Sequence, residues 1–487
     1  MAINDVIAAY FEFDEYDTDL RTEVLAGLTT FLTMSYIVIV NPAVLGLAIT
    51  AEKIPARTAI QLEQNLAVVT ILASALAIFV MALYANRPFG LAPGLGLNAF
   101  FALTVVLGLG VPWQTALAAV VVEGVVFILL TAVGAREYII RLFPEPVKFS
   151  VGAGIGLFLA LIGLEKMRVV IGSVSPPETA TFVLFNSNFA QDPVAIISVV
   201  GLFVTLALYA RGIRGSIVIG IVLTTIMGYA ASALGFHALS QDAMPPGLHL
   251  APATLAPNVD VAYSAAGYNI APLAGAFVQG FQNVDVLPFA LIVFTFFFVD
   301  FFDTAGTLTG VSQIAGFLDE EGNLPEMNKP LMADAIGTTV GGMLGTSTVT
   351  TYIESSTGVE EGGRTGMTAF VVGVLFLLSL AVVPLAAAVP LYASHIALVV
   401  VGVIMLQGVM EIDWTELSES VPAALTIFVM PFTFSISYGI AAGLIAYPIM
   451  KTARGDAADV SAGQWVLAAA FVLYFVVRTG GIIRGTL

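Results

Sequence analysis

Residues 66–83 read Leu66-Ala-Val-Val-Thr-Ile-Leu-Ala-Ser-Ala-Leu-Ala-Ile-Phe-Val-Met-Ala-Leu83, an apolar run without a charged side chain. Comparable runs extend from Trp113 to Gly134, from Ile213 to Leu234 and from Met367 to Val389. Each approaches or exceeds the roughly 20 apolar residues with which a helix crosses a bilayer. Charged residues make up only 10% of the chain, against about 25% in an average soluble domain. The sequence therefore predicts a protein that crosses the lipid bilayer several times.

About fourteen crossing or partly crossing segments are predicted when apolar runs of roughly 20 residues are divided at Pro, Gly and charged residues. They form two sets of seven on either side of a stretch rich in Pro, Asn and Gly, which extends from His237 to Val284. Because each set contains an odd number of segments, the two halves face opposite ways in the membrane. This arrangement is the inverted repeat common in secondary transporters. The predicted fold class is an all-α polytopic membrane protein with short extended stretches in segments 3 and 10. The predicted segments are 21–45, 66–86, 88–110, 113–135, 146–165, 192–210 and 213–235, then 287–311, 328–345, 346–360, 364–386, 390–410, 419–450 and 461–480.

The third and tenth segments are short and interrupted. The third begins Pro88-Phe-Gly-Leu-Ala-Pro-Gly-Leu-Gly-Leu-Asn98, whose Pro and Gly residues disfavour a regular helix before about Leu95. The tenth begins Thr346-Ser-Thr-Val-Thr-Thr-Tyr-Ile-Glu354, a β-branched run that favours extended backbone. Broken segments at matching places in two halves are the best sequence-level indication of a transporter's binding site.

The distribution of basic residues predicts the orientation. With the N-terminus in the cytoplasm, most of the 17 basic residues lie on the inner side, which favours a protein of the cytoplasmic membrane with both termini inside. The net charge of -17 argues against nucleic acid as a partner. It also indicates a halophilic source, the alternative being an ordinary acidic tail. The inner-side residues are Arg21, Arg87, Arg136, Arg141, Lys148, Arg211, Arg214, Lys329, Arg364, Arg478 and Arg484.

The residues that bind metals most often are scarce. The chain contains no Cys, so no disulfide or thiolate metal site can form. His237, His249 and His395 lie far apart in the sequence, without the spacing of metal ligands. Neither a metal site nor a cofactor is predicted.

Asp300 and Asp303 lie in the apolar eighth segment, where ionisable groups are costly and therefore functional candidates. Their i, i+3 spacing predicts that both share one helix face with Thr304 and Thr307. Two acids so close in a low dielectric are not expected to ionise together near neutral pH. One of them could then bind a proton reversibly, although the pair could also lie at the membrane edge with no such role.

Three further polar residues lie at or near the breaks. Glu354 precedes a helix N-terminus and, when ionised, can accept two N–H bonds from a ligand. Asn98, at the corresponding break, offers both a donor and an acceptor. Each could instead be only a helix cap. Glu123 lies within the fourth segment and is assigned either a structural hydrogen bond to a broken segment or direct proton handling.

The predicted site has a distinctive chemistry. No Lys or Arg is expected beside these acids at mid-membrane, which disfavours an anionic substrate. Carboxylates, an amide and exposed backbone suit a neutral, planar compound with several N–H donors. One ring of the Phe296–Phe298 run, or Phe100 or Phe101, could stack on such a compound.

Three motifs stand out: Gly94-Leu-Gly-Leu-Asn98-Ala-Phe-Phe, Val299-Asp-Phe-Phe-Asp-Thr-Ala-Gly306 and Thr350-Thr-Tyr-Ile-Glu354-Ser-Ser-Thr-Gly358. Together they strongly resemble the AzgA-like purine permeases, a branch of the nucleobase-ascorbate transporter superfamily. The resemblance implies that Asn98, Asp300 and Glu354 bind the base and that Asp303 assists, in proton coupling. The neighbours Ala99, Phe100 and Ser355 complete the predicted substrate-binding set, and Asp300 and Glu123 are further candidates for proton coupling.

The same resemblance implies a domain organisation. A core domain would combine residues 20–140 and 287–388, and a gate domain would combine residues 141–240 and 389–487. Residues 241–286 would form an extracellular loop. Members of the family often dimerise through the gate, so a homodimer is an expected partner.

The leading hypothesis is therefore import of hypoxanthine, guanine or adenine by proton symport. A neighbouring hypothesis is a transporter of uracil, xanthine or another small neutral solute, or one coupled to sodium. Two other classes stay open, namely an intramembrane aspartyl enzyme and a passive channel. The enzyme alternative lacks two catalytic motifs on separate helices and leaves the two broken segments unexplained.

Overall fold

A computed structural model describes residues 3–50, 54, 58–135, 143–173, 183–244, 248–257, 265–282, 284–319 and 324–479. The predicted inner-side residues Arg136, Arg141 and Arg484 lie outside the described residues. Within these ranges, nine helical stretches are long and apolar enough to cross a membrane. The prediction of a mostly helical, multi-pass membrane protein is confirmed.

The first half of the chain consists of helices with one short strand in the third predicted segment and two more after the fifth. Two π-helical stretches, Met81–Ala85 and Phe100–Gly108, continue the helices before them. The elements are α1 (Ile3–Tyr10), α2 (Leu20–Met34), α3 (Ile37–Leu45), α4 (Ala59–Val80), β1 (Leu91–Pro93), α5 (Leu95–Ala99), α6 (Trp113–Ala132), α7 (Glu145–Lys166), β2 (Val170–Ser173), β3 (Val183–Phe185), α8 (Pro193–Ala210) and α9 (Ser216–Ala233).

The second half also consists mostly of helices, with one short strand near its start and one in the tenth predicted segment. A 3₁₀ turn, Leu406–Glu411, follows the helix that ends at Met405. The elements are β4 (Leu248–His249), α10 (Ala265–Tyr268), α11 (Phe277–Gly280), α12 (Val286–Ala315), α13 (Asn328–Leu344), β5 (Val349–Thr351), α14 (Ser355–Glu360), α15 (Gly366–Ser379), α16 (Val383–Ala386), α17 (Leu391–Ser394), α18 (Ile396–Met405), α19 (Leu417–Thr433), α20 (Ile436–Arg454) and α21 (Ala462–Thr479).

Polar side chains fix where helices begin and how they pair. Asp19 caps α2, because its carboxylate accepts a bond of 2.8 Å from the Thr22 N–H. The fully buried Glu23 accepts bonds from the N–H groups of Arg364 and Thr368, at 2.9 and 3.1 Å. These groups lie at the start of α15, where the helix dipole favours a carboxylate. Glu23 therefore joins α2 to α15 inside the protein.

The predicted segment 419–450 is wrong as one continuous crossing. It is divided into α19 and α20, which pack against each other. The break lies at Phe434, which has a left-handed backbone with φ of +50°. Pro431 lies inside α19, and the Phe434 N–H still bonds to the Met430 carbonyl before the chain turns. As a result, the described residues from 391 to 479 contain four long helical stretches where three segments had been predicted.

The helices form two groups by their packing. In the first helix group, α4 and α6 pack on α13, and α2 and α4 pack on α15. In the second helix group, α7 packs on α18 and α19, and α8 packs on α9. The long helix α12 contacts α6 of the first group and α7 of the second.

Strands β1 and β5 form an antiparallel pair inside the first helix group, and we call this pair the β1–β5 crossing. Leu91 is paired with Thr351 and Pro93 with Val349, and all six strand residues are buried. A Cβ on Gly94 would lie 2.8 Å from Thr350 Cγ2, so a larger residue would force a neighbouring side chain to shift where β1 ends. The predicted extended stretches in segments 3 and 10 are confirmed, and they lie side by side.

The described parts of the predicted loop 241–286 attach to different elements. Strand β4 pairs with β2 in a three-stranded sheet. Further along, Asn65 of α4 donates bonds of 2.9 and 2.7 Å to the carbonyls of Ala266 and Gly267. The loop therefore contacts both helix groups.

Candidate functional site

A cavity of about 250 Å³ lies between the two helix groups, and we call it the central cavity. Its first wall comes from the β1–β5 crossing, Tyr36 and the middle of α12. Its second wall comes from the first turns of α7 and from the end of α18. The residues of the first wall are Tyr36, Gly94–Gly96, Phe302, Asp303, Gly306, Thr307 and Thr351–Glu354; those of the second are Lys148, Phe149, Val151, Gly152, Val401, Ile404, Met405, Gln407 and Gly408.

Glu354 is the best placed of the predicted substrate-binding residues. It precedes α14 directly and lines the central cavity. Tyr36 donates a hydrogen bond of 2.6 Å to its Oε1, which orients the carboxylate. The next residue, Ser355, does not line the cavity, because its Oγ accepts a bond of 2.9 Å from the Gly90 N–H. Ser355 thus ties the start of α14 to the third segment.

Asn98 is fully buried between the two broken segments and does not line the central cavity. Its Oδ1 accepts a hydrogen bond from the Ser347 hydroxyl. Close by, Glu123 Oε2 accepts a bond of 3.3 Å from Thr348 Oγ1. This bond is the structural one expected for Glu123, while direct proton handling by Glu123 stays a prediction.

Asp303 and Asp300 lie in different surroundings. Asp303 and Thr307 line the central cavity, but Asp300 and Thr304 do not. The expectation that all four residues share one helix face is wrong in this respect, because only two of them line the cavity. Side chains three residues apart point about 60° apart around a helix of 3.6 residues per turn. Asp300 therefore turns away from the cavity into the first helix group.

Asp300 belongs to a buried polar cluster behind the cavity wall. The Thr304 hydroxyl lies 3.2 Å from Asp300 Oδ1, 3.1 Å from Asp334 Oδ2 and 2.9 Å from Thr350 Oγ1. Asp334, on α13, also accepts a bond of 3.3 Å from the Thr351 N–H. The cluster thus connects α12 and α13 to strand β5, whose last residue, Thr351, lines the cavity.

Sequence reasoning missed Asp334. It lies in Met332-Ala-Asp334-Ala-Ile336, an apolar stretch of the ninth predicted segment, and is fully buried. An ionisable residue in such a segment is a functional candidate by default, so that signal was available. Tyr36 and Tyr352 carried no comparable signal, because aromatic residues are common in membrane helices.

The expectation of no cation beside the acids at mid-membrane stays a prediction, although one basic residue does line the central cavity. Lys148 had been assigned to the inner surface, yet it lines the same cavity as Asp303 and Glu354. It lies in the first turn of α7, only a few residues after the helix begins. Because α7 packs against the long helix α12, that turn forms part of the cavity wall.

The aromatic prediction is met by a different ring. Phe100 is buried and packs edge to face on Phe296, with ring centroids 4.9 Å apart, and Ala99 is buried beside it. Neither residue lines the central cavity. Phe302 does line it, and Phe143 supports that ring from behind at 4.4 Å between centroids. Phe302 on the first wall and Phe149 on the second are therefore phenylalanine rings available for stacking on a planar ligand.

A helical membrane protein with two paired broken segments, and with a small cavity that carries two carboxylates at the contact of two helix groups, is a membrane transporter by architecture. The model of the permease family that includes xanthine and uracil permeases matches residues 21–442. The chain belongs to this family, and within it to the AzgA-like purine permease branch. It is a permease and not an enzyme.

Several curated relatives are similar over almost their whole length. A putative permease of Methanocaldococcus jannaschii is 42% identical over 97% of this chain and 99% of its own. The adenine permease AdeP of Escherichia coli is 38% identical, covering 96% of this chain and 95% of its own. The guanine/hypoxanthine permease PbuG of Bacillus subtilis is 37% identical, covering 96% and 99%.

Solved structures with low sequence identity share the fold. The transmembrane domain of the cyanobacterial bicarbonate transporter BicA matches with a TM-score of 0.57 at 16% identity, over 87% of this chain and 97% of that domain. The murine anion transporter Slc26a9 in its inward-facing state matches with a TM-score of 0.58 at 13% identity, over 89% and 68%. At such identities the likeness concerns the fold alone.

Proposed function

We propose that this permease imports purine nucleobases, namely hypoxanthine, guanine or adenine, across the cytoplasmic membrane by proton symport. The observation that carries the proposal is the pair of carboxylates, Glu354 and Asp303, on one wall of the central cavity. The printed names of the adenine and guanine/hypoxanthine permeases support the substrate class.

The central cavity suits a single base in size and chemistry. Its volume of about 250 Å³ is near the lower end of the roughly 300–1,000 Å³ typical of ligand pockets. Tyr36 donates to Oε1 of Glu354, and the other carboxylate oxygen can accept an N–H of the base. Phe302 offers an apolar face for the purine ring. Asn98, Ala99, Phe100 and Ser355 would then act by holding the crossing in place, behind the residues that touch the base.

Proton coupling is proposed for Asp303, with Asp300 and Asp334 behind it. Asp303 interacts electrostatically with both Asp334 and Glu354. Negative charges on Asp303, Asp334 and Glu354 at the same time would be costly in a low dielectric. Protonation of one of the three therefore lowers the cost of ionising the other two. Thr304 and Thr351 connect this group to strand β5, which also carries the cavity wall. Protonation of this group and binding of the base would in this way be coupled through strand β5.

Transport would follow from movement of one domain against the other. We assign the core domain to residues 20–140 and 287–388 and the gate domain to residues 141–240 and 389–487. The crossing of β1 and β5 at matching places in the two halves supports an inverted repeat. We also propose that two copies of the chain form a homodimer through their gate domains.

The function is tested by uptake into proteoliposomes that contain the purified protein. Radiolabelled hypoxanthine should accumulate when the interior is made alkaline, and a protonophore should abolish the accumulation. An imposed sodium gradient at equal pH should have no such effect. Accumulation driven by sodium would show that sodium, and not the proton, is the coupling ion. Specific uptake of uracil, and not of purines, would show that the substrate is a pyrimidine.

The proposed orientation has both termini in the cytoplasm. Single cysteines can report on it because the chain contains none. In intact cells, an impermeant maleimide should label Ser187→Cys, in an exposed turn after β3, and should not label Arg211→Cys, in the exposed turn after α8. Labelling of both sites after permeabilisation is the control. The reverse pattern in intact cells would overturn the orientation.

A further inference from the structure

Gly306 is an exposed glycine well inside the long helix α12. It lines the central cavity together with Phe302 and Asp303, which lie about one turn earlier on the same helix. A glycine inside a helix destabilises it relative to alanine, because glycine has more conformational freedom to lose on folding. The backbone of Gly306 is not left-handed, so its conformation does not require glycine. The missing side chain at this position therefore has another cause.

Close helix packing accounts for other glycines of the long helices but not for Gly306. A Cβ added to Gly156 of α7 would lie 2.8 Å from the Gly402 carbonyl oxygen. One added to Gly337 of α13 would lie 2.8 Å from the Ala77 Cβ, so here too a side chain would push two helices apart. A Cβ added to Gly306 would meet no atom within 4 Å in the described chain, apart from its own helix backbone and its two neighbours. Gly306 therefore keeps space open and does not serve to bring two helices together.

The open space beside Gly306 adjoins two residues proposed to serve the base and the proton. In an α-helix the Cα–Cβ bond is tilted towards the N-terminus, so a side chain covers the residues three and four positions earlier. For position 306 these residues are Asp303 and Phe302, which both line the cavity. Neither of their side chains comes within 4 Å of the added Cβ. A larger residue at position 306 would cover the Phe302 ring and the Asp303 carboxylate, whereas glycine leaves both accessible to a ligand.

We infer that Gly306 is a substrate-contact residue: the base lies against its backbone, in the space that a side chain would fill. This inference rests on the proposed function, because it concerns the base held in the same cavity. Glycine is the residue that lets a ligand approach the backbone most closely. The cavity of about 250 Å³ is small for a ligand pocket, so an added side chain competes directly with the base. One methylene group too many in a fitted pocket changes binding by roughly tenfold to two-hundredfold.

The test replaces Gly306 with alanine and with leucine, which are both good helix formers. Calorimetry measures hypoxanthine binding, and the melting temperature is measured without ligand. Gly306→Ala should bind hypoxanthine about tenfold more weakly or worse, and Gly306→Leu about a hundredfold more weakly or not at all. The melting temperature should stay the same or rise in both variants, because each replaces glycine with a better helix former. A purely structural role of Gly306 would not give a loss of binding without a loss of stability.

Gly310→Ala is the matched control on the same helix, about one turn further along and outside the cavity wall. Its added Cβ would make an ordinary contact of 3.6 Å with Ile353 Cδ1, and hypoxanthine affinity should not change. Unchanged hypoxanthine affinity in Gly306→Ala or in Gly306→Leu would overturn the inference. A melting temperature that falls in Gly306→Ala but not in Gly310→Ala would also overturn it, because the fold would then require the glycine. Failure of the unmodified protein to bind any purine would instead overturn the proposed function.

Discussion

Glu354→Gln is expected to weaken purine binding by about tenfold or more. The substitution keeps the size of the side chain but replaces a carboxylate oxygen with an amide that donates. A charge-assisted hydrogen bond contributes about 1.5–3 kcal/mol, and about 1.4 kcal/mol corresponds to a factor of ten in affinity. The hydroxyl of Tyr36 also loses its charged partner, so the remaining side chain is held less firmly. Calorimetry with hypoxanthine on the purified variant measures the effect.

Two further variants distinguish a binding role from a structural one. Glu360→Gln makes the same chemical change at an exposed position of the same short helix and should leave affinity unchanged. Tyr36→Phe removes only the hydroxyl that orients Glu354, so its loss of affinity should be smaller than that of Glu354→Gln. Unchanged hypoxanthine affinity in a well-folded Glu354→Gln variant would remove Glu354 from the binding site.

The two breaks, in segments 3 and 10, could be predicted because their cause is local. Pro88, Pro93 and the glycines between and after them disfavour a regular helix through local backbone geometry alone. The β-branched run from 346 to 351 favours extended backbone for the same kind of reason. The matching places of the two breaks indicated a binding site, whereas their pairing as antiparallel strands was not predicted. The register that joins Leu91 to Thr351 had no such local cause, because it depends on how the two halves pack.

The parts of the site that were missed depend on packing between distant segments. Lys148 lies on the cavity wall only because α7 packs against α12, and nothing in its own neighbourhood indicates this. Asp300 and Asp303 share a spacing that predicted one face, yet a rotation of about 60° was enough to separate a cavity wall from a buried cluster. Similarly, Ser355 and Asn98 bond to the opposite broken segment instead of lining the cavity.

Asp303→Asn is expected to abolish the accumulation of purine while leaving its binding largely intact. If Asp303 must gain and lose a proton in each cycle, an amide fixes a neutral group there and the transport step loses its link to pH. Binding should persist, because Glu354 and Phe302 still line the cavity. Gradient-driven uptake of hypoxanthine into proteoliposomes, measured beside calorimetric binding, separates the two effects. Residual flux should then equilibrate the base without concentrating it.

The separate surroundings of the two aspartates sharpen this experiment. Asp300→Asn disturbs the cluster of Thr304 and Asp334 behind the wall, so it should impair accumulation without removing a group that lines the cavity. Asp285→Asn, at the exposed start of the same helix, is the matched control and should transport normally. If Asp303→Asn and Asp300→Asn both still concentrate hypoxanthine as the unmodified protein does, these aspartates are not the proton site. Glu123, which bonds to the broken tenth segment through Thr348, is then the next carboxylate to replace.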